Sequence, residues 1–279
     1  VATKLDGTID VTQVFATELA FTALRADGSV VTWGYADYGG DSSAVATKLD
    51  GTIDVTQVFS TDFAFAALRA DGSLVTWGYA DYGGDSSTVA AALNGSIDVT
   101  QVFSTLTAFA ALRADGSLVT WGDSTYGNRG GDSSAVATKL DGTIDVTQVA
   151  STQYAFAALR ADGSVVTWGG ASYGGDSSAV AAALDGMIDV TQVFSAVLAF
   201  AALRADGSVV TWGYSSYGGD SSAVATKLDG TIDVTQVFST AYAFSALRSD
   251  GSVVTWGDAG YGGDSSAVAT KLDGTIDVT

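Results

Sequence analysis

The chain has 279 residues, with 12 Lys and Arg against 31 Asp and Glu, giving a formal charge of −19. A surface of that sign repels phosphate backbones and acidic membranes, which argues against nucleic-acid partners. Cys, His and Pro are absent, which removes disulfides, thiolate nucleophiles, imidazole bases and the common zinc sites; hydrophobic residues at 47% suffice for a core, yet no apolar run reaches the ~20 residues of a membrane-spanning helix, so membrane insertion is not expected.

Val1 is not an initiator methionine, and no charged n-region with an apolar core follows it, so the expectation is a processed chain or an excerpt of a longer one. Tryptophans at Trp33, Trp77, Trp121, Trp168, Trp212 and Trp256 then mark an internal repeat of about 44 residues. One interval is longer by three, near Asn128 and Arg129. The units run 9–52, 53–96, 97–143, 144–187, 188–231 and 232–275, with 1–8 and 276–279 as partial units, all within a single repeat domain spanning 1–279.

Within the second unit, Ile53 to Phe59 alternates with the period of a strand and is rich in β-branched residues. Ala64 to Arg69 reads as a second strand, and Asp71-Gly72 as a two-residue type I′ hairpin turn. A third strand covers Leu74 to Trp77; after the Tyr82-Gly-Gly-Asp-Ser-Ser87 loop, Val89 to Leu93 reads as a weaker fourth. Small residues such as Ala66 and Ala67 suit sheets stacked closely on both faces. The expected fold is all-β: a β-propeller of four-stranded antiparallel blades, six in number or part of a seven-bladed or longer array.

The stretch Ala64-Phe-Ala-Ala-Leu-Arg-Ala-Asp-Gly-Ser-Leu-Val-Thr-Trp-Gly78, with Val55-Thr-Gln-Val58 before it and Tyr82-Gly83 after it, resembles the regulator-of-chromosome-condensation repeat. All six units carry the likeness, which implies propeller blades. Gly84-Asp85-Ser86 stands where that family has Q-L-G, and the family's repeat is longer. The acidic charge argues against carrying chromatin binding over. Short-repeat bacterial members, among them a secreted β-lactamase inhibitor, are the nearer likeness and imply a binding scaffold. The corresponding expectation is a secreted or bacterial cell-surface location.

Comparing the units shows where they vary. A pair between the first and second strands reads Glu18-Leu19, Asp62-Phe63, Leu106-Thr107, Gln153-Tyr154, Val197-Leu198 and Ala241-Tyr242. A triplet after Trp-Gly spans Tyr35 to Asp37, Tyr79 to Asp81, Asp123 to Thr125, Gly170 to Ser172, Tyr214 to Ser216 and Asp258 to Gly260. In a meander both sets emerge on one rim, and their Tyr, Ser, Ala, Gly and Asp content suits recognition of a protein or glycan. Drift at exposed loop tips accounts for the same variation without a ligand.

Other patterns read as architecture. The tryptophans occupy one strand position throughout and are expected between neighbouring sheets, not as a sugar platform. Arg25 and its five counterparts each precede an aspartate by two positions, as local pairs at the turn. No D-x-D-x-D-G calcium loop and no P-loop lysine appear, so no metal and no cofactor are expected. Ala150 stands where other units have Phe15, Phe59, Phe103, Phe194 and Phe238, and a neighbouring larger side chain, such as Tyr154, is expected to fill the space. Val1 to Thr12 is identical to Val268 to Thr279, which reads as an overhang, a partial further blade, a window from a longer array, or self-assembly in which one chain's tail completes its neighbour's unit. The functional expectation is a non-enzymatic binding module; the alternatives are a structural repeat forming an extracellular filament or stalk, and a designed consensus scaffold.

Overall fold

The computed structural model describes residues 4–125 and 128–275. It divides into two compact units, Val1–Thr143 and Ile144–Thr279, separated where the periodicity places a repeat boundary. Each unit holds three repeats. In the first lie β1 (Val11–Ala16), β2 (Ala20–Arg25), β3 (Val30–Gly34), β4 (Val55–Ser60), β5 (Ala64–Arg69), β6 (Leu74–Gly78), β7 (Val99–Ser104), β8 (Ala108–Arg113) and β9 (Leu118–Gly122). In the second lie β10 (Val146–Ser151), β11 (Ala155–Arg160), β12 (Val165–Gly169), β13 (Val190–Ser195), β14 (Ala199–Arg204), β15 (Val209–Gly213), β16 (Val234–Ser239), β17 (Ala243–Arg248) and β18 (Val253–Gly257). Every repeat is a three-stranded antiparallel meander.

The expected four-stranded blade is therefore corrected to three strands. The segment assigned to a fourth strand is a 3-10 helix in each repeat, as at Ser43–Lys48 and Ser87–Ala92. Its Ala-rich sequence lacks the β-branched and aromatic residues that strands favour. At its start, the Asp85 carboxylate accepts the Ser87 N–H at 2.8 Å and turns the chain before a strand can begin. The Leu74 N–H donates to the Leu93 carbonyl at 2.9 Å and Ser73 bridges Asn94, which ties the end of the helix to the third strand.

The hairpin also differs from expectation. Gly72 has φ 72, but Asp71 does not adopt a positive φ, and the Gly72 N–H donates to the Arg69 carbonyl at 3.0 Å. The loop is thus a type I turn closed by a left-handed glycine, a three-residue connection in place of type I′. A side chain on Gly72 would also strike Asp98 of the next repeat, 2.7 Å from its Cα.

The core lies in seams between consecutive sheets. One face of repeat 2 offers Ala64, Ala66, Leu68, Leu74 and Leu93; repeat 3 answers with Val99, Val102, Phe109, Ala111 and Trp121. The same arrangement joins repeats 1 and 2, 4 and 5, and 5 and 6. Within a repeat, Phe65 stacks on Trp77 with centroids 5.3 Å apart. The indole then donates to the Gly39 carbonyl of the preceding repeat at 3.1 Å. Trp121, Trp212 and Trp256 do likewise to Gly83, Gly174 and Gly218. The tryptophans in these seams are buried, as expected from their fixed position, while Trp33 in repeat 1 is half-buried.

In repeat 4 the Tyr154 ring packs on Tyr173, with centroids 5.0 Å apart, and Ala150 itself packs against the seam with repeat 5. With the phenyl group gone, β13 approaches β10 closely enough for the Gln148 amide to engage the backbone of Val193. Gln148 Nε2 donates to the carbonyl at 2.7 Å, and Oε1 accepts the N–H at 3.0 Å.

Candidate functional site

Two edges of the repeats differ in kind. At the hairpin edge, Arg25 Nη1 donates to Ser29 Oγ at 3.0 Å and lies 3.6 Å from Asp27 Oδ2. Ser29 in turn donates its N–H and hydroxyl to Asp27. That hydroxyl, chiefly, holds the Asp27 carboxyl below its ordinary range. The same Arg–Asp pair recurs in all six repeats, so these arginines are committed to their own turns.

At the opposite edge the two variable sets meet within each repeat. The Tyr79 N–H, first of the triplet, donates to the carbonyl of Phe63, second of the pair, at 2.9 Å. Tyr35 to Leu19, Asp123 to Thr107, Gly170 to Tyr154, Tyr214 to Leu198 and Asp258 to Tyr242 repeat the bond. A buried threonine adds a second tie: Thr61 Oγ1 donates to the Tyr82 carbonyl at 2.9 Å. The pair's first residue links consecutive repeats through its backbone, as Glu18 N–H to Asp62 carbonyl and Asp62 N–H to Leu106 carbonyl, both at 2.9 Å. In the second unit, Gln153 N–H to Val197 carbonyl and Val197 N–H to Ala241 carbonyl do the same. Side chains there vary freely because the bonds are made by the main chain. Burial, then the charge of Glu18, raises the Asp62 carboxyl above its ordinary range.

The aromatic residues form rows along this edge. In the first unit Tyr35 meets Tyr38 at 5.0 Å, Tyr38 meets Phe63 at 4.7 Å and Tyr79 at 5.5 Å, and Tyr82 meets Phe63 at 5.3 Å and Tyr79 at 5.4 Å. In the second, Tyr214, Tyr217, Tyr242 and Tyr261 follow one another at 4.6–5.1 Å. Tyr35, Tyr79, Tyr214 and Tyr261 remain exposed.

The constant tyrosines Tyr38, Tyr82, Tyr173 and Tyr217 were not among the residues singled out from sequence. They sit half-buried beneath the variable rings, and their recurrence immediately before Gly-Gly is the signal that marks them. Asp37, Asp81, Ser172, Ser216, Ala241, Glu18, Leu19 and Thr125 are exposed; Leu106, Gln153, Val197, Leu198 and Asp258 are half-buried. Thr107 and Asp123 are buried and do not present a surface. Asp123 pairs with Arg129 at 3.8 Å, so the longer loop of repeat 3 supplies the cation for a carboxylate placed inside. Tyr126 of that loop lies outside the described residues. Among the described residues no group of three or more acidic side chains is arranged to hold a metal ion. Nor, among them, is any helix long and apolar enough to cross a membrane.

No family model matches the chain, and no curated protein does. Solved structures that are similar include the ectodomain of the Physcomitrella patens receptor kinase CR4, at 16% identity over 90% of this chain and 62% of that one, with TM-score 0.47. This chain therefore spans less than two thirds of that ectodomain. Human WBSCR16 is similar at 18% identity over 86% of this chain and 67% of that one, with TM-score 0.48. Yeast RCC1 (Prp20), solved bound to Kap60, is similar at 17% identity over 88% of this chain and 70% of that one, with TM-score 0.48.

Proposed function

We propose that this protein is a non-enzymatic binding module, displayed outside a bacterial cell, that engages a protein or glycan through its tyrosine-rich edge. The observation that carries the reading is the continuous row of rings from Tyr35 to Tyr82, its outer members exposed and its inner members held by contact with one another. Rigid rings supply contact area at little entropic cost, and the small residues between them leave room for a ligand. Held rings also offer flat faces to sugar rings or aromatic side chains. The aspartates recur at turns in every repeat, where they cap backbone N–H groups, which is a structural use and not a catalytic one.

The test is a glycan microarray and a random-peptide display library, each screened with the wild type and with the triple variant Tyr35→Ala, Tyr79→Ala, Tyr214→Ala. Wild-type ligands lost in the variant support the reading. Ligands retained by the variant, or none for the wild type, would assign the loop variation to drift.

A further inference from the structure

Repeat 2 has a repeat packed on each side, so what it leaves exposed is exposed within the finished stack. At its junction with repeat 1, three rings of the row, Tyr38, Phe63 and Tyr82, are each preceded in the chain by an aspartate. Of these, Asp37 and Asp81 are exposed and Asp62 is half-buried. Tyr79 lies among the rings, 5.5 Å from Tyr38 and 5.4 Å from Tyr82, and is itself 38% exposed.

Among the described residues, none of these three carboxylates caps a backbone N–H or pairs with a cation, unlike the turn aspartates. Arg25, Arg69 and Arg113 are held at the opposite edge by Asp27, Asp71 and Asp115, and Arg129 lies beside Asp123. Lys48 lines a cleft together with Asp37 but forms no ion pair with it. For Asp62 the setting is adverse: burial and the charge of Glu18 both push its carboxyl up, and nothing pulls it back.

The fold does not require these charges. Where repeats 1 and 2 have Glu18, Asp37, Asp62 and Asp81, repeats 4 and 5 have Gln153, Ser172, Val197 and Ser216. Rings recur there, with Tyr214 and Tyr217 at 5.1 Å, and the same main-chain bonds build the edge. Only the carboxylates are missing.

We propose that the junction of repeats 1 and 2 on the tyrosine edge binds an arginine-bearing segment of a protein partner. A guanidinium is planar, lies flat on aromatic faces and forks its N–H groups towards carboxylates. Exposed Tyr79 supplies the face, and Asp37, Asp62 and Asp81 supply the charge. A cation docked there also offsets the repulsion between Glu18 and Asp62, a gain that a neutral sugar does not offer. The inference rests on the binding role proposed for this edge and narrows its ligand to a cationic protein segment.

Fluorescence anisotropy of a labelled peptide of alternating arginine and glycine, titrated with the full chain at physiological ionic strength, tests it. Because so acidic a chain attracts any polycation, two double variants of equal net charge are compared. Asp37→Asn with Asp81→Asn removes two carboxylates of the site. Asp189→Asn with Asp233→Asn removes two exposed carboxylates elsewhere. The first should weaken binding about tenfold or more, and the second less than about twofold. Tyr79→Leu keeps every charge and should weaken binding about fivefold. A lysine–glycine peptide of the same length should bind the wild type several-fold more weakly. Equal losses in the two double variants would assign binding to net charge and overturn the proposal. An arginine peptide that does not bind, or that is indifferent to Tyr79→Leu, overturns it as well. If the glycan and peptide screens return only uncharged ligands that need the tyrosines, the edge keeps its binding role and this assignment falls.

Discussion

Repeats 1 and 2 carry the same Phe–Trp pair at the same strand positions, yet the pair does different work in each. In repeat 2, Phe65 is wholly buried and Trp77 donates its indole N–H to Gly39. In repeat 1, Phe21 is 46% exposed and Trp33 half-buried, although the two rings stack as closely. The contrast separates what a sheet supplies by itself from what its neighbour adds. Ring stacking belongs to the single repeat; burial and the indole hydrogen bond come from the preceding one. Stability in such a stack resides in the junctions.

The largest expected effect breaks a junction. Trp77→Ala removes a buried indole and its hydrogen bond and should cost about 3–5 kcal/mol. Trp33→Ala, on the open face, should cost roughly 1–2 kcal/mol, since less apolar area is lost. Urea unfolding of the two variants measures the gap, and equal costs would show that the junction adds nothing. Next come the glycines facing those rings. Gly83→Ala places a methyl group 2.5 Å from Phe109 Cδ2 at φ 95, while Gly262→Ala, at φ 105, meets nothing within 4 Å. Both carry the left-handed penalty of about 1–2 kcal/mol. Only Gly83→Ala should add an overpacking cost of about 1–3 kcal/mol, read as a lower urea midpoint.

Much of this was legible in sequence because repetition acts as an internal control. Three strands, the hairpin position and the seam location of the indoles follow from alternation and from fixed positions in six copies. The fourth strand was misread because Val89 to Leu93 is apolar, and a short apolar run does not declare its period. What decides it is the Asp85 carboxylate capping Ser87 N–H, a contact two residues long. The turn type was misread for a similar reason: Asp-Gly suits two hairpin geometries, and the choice depends on whether Ala70 joins the loop. The meeting of the two variable sets could be inferred from topology, but the row of rings could not. It depends on the constant Tyr38 lying between Tyr35 of its own repeat and Phe63 and Tyr79 of the next, with Tyr82 closing on Phe63 and Tyr79.

The first seam also contains a flaw that sharpens the comparison. Thr22 faces repeat 2 where other repeats have Ala66, Ala110, Ala157 and Ala201, and its buried hydroxyl has no hydrogen-bond partner. An unsatisfied buried hydroxyl costs about 1–3 kcal/mol. Thr22→Val keeps the shape and removes the orphan, so it should stabilise the chain by about 1 kcal/mol. A lower urea midpoint for this variant would mean that the hydroxyl is satisfied in solution.

The smallest expected effects concern two carboxyls whose shifts run in opposite directions. Asp27 at the hairpin edge is held low by the Ser29 hydroxyl, so its contribution is present above the ordinary carboxylate range, about pH 4, and is lost as pH falls through the lowered value. Asp62 at the repeat junction is raised by burial and by Glu18, so its contribution is present below that range and is lost as pH rises through the raised value. Asp27→Asn should therefore destabilise at neutral pH, and Asp62→Asn should stabilise there. Both differences should shrink on acidification. Thermal unfolding at neutral and acid pH reads the two signs directly. If both variants shift stability the same way at neutral pH, net charge relief governs the response and the local partners at the two positions do not.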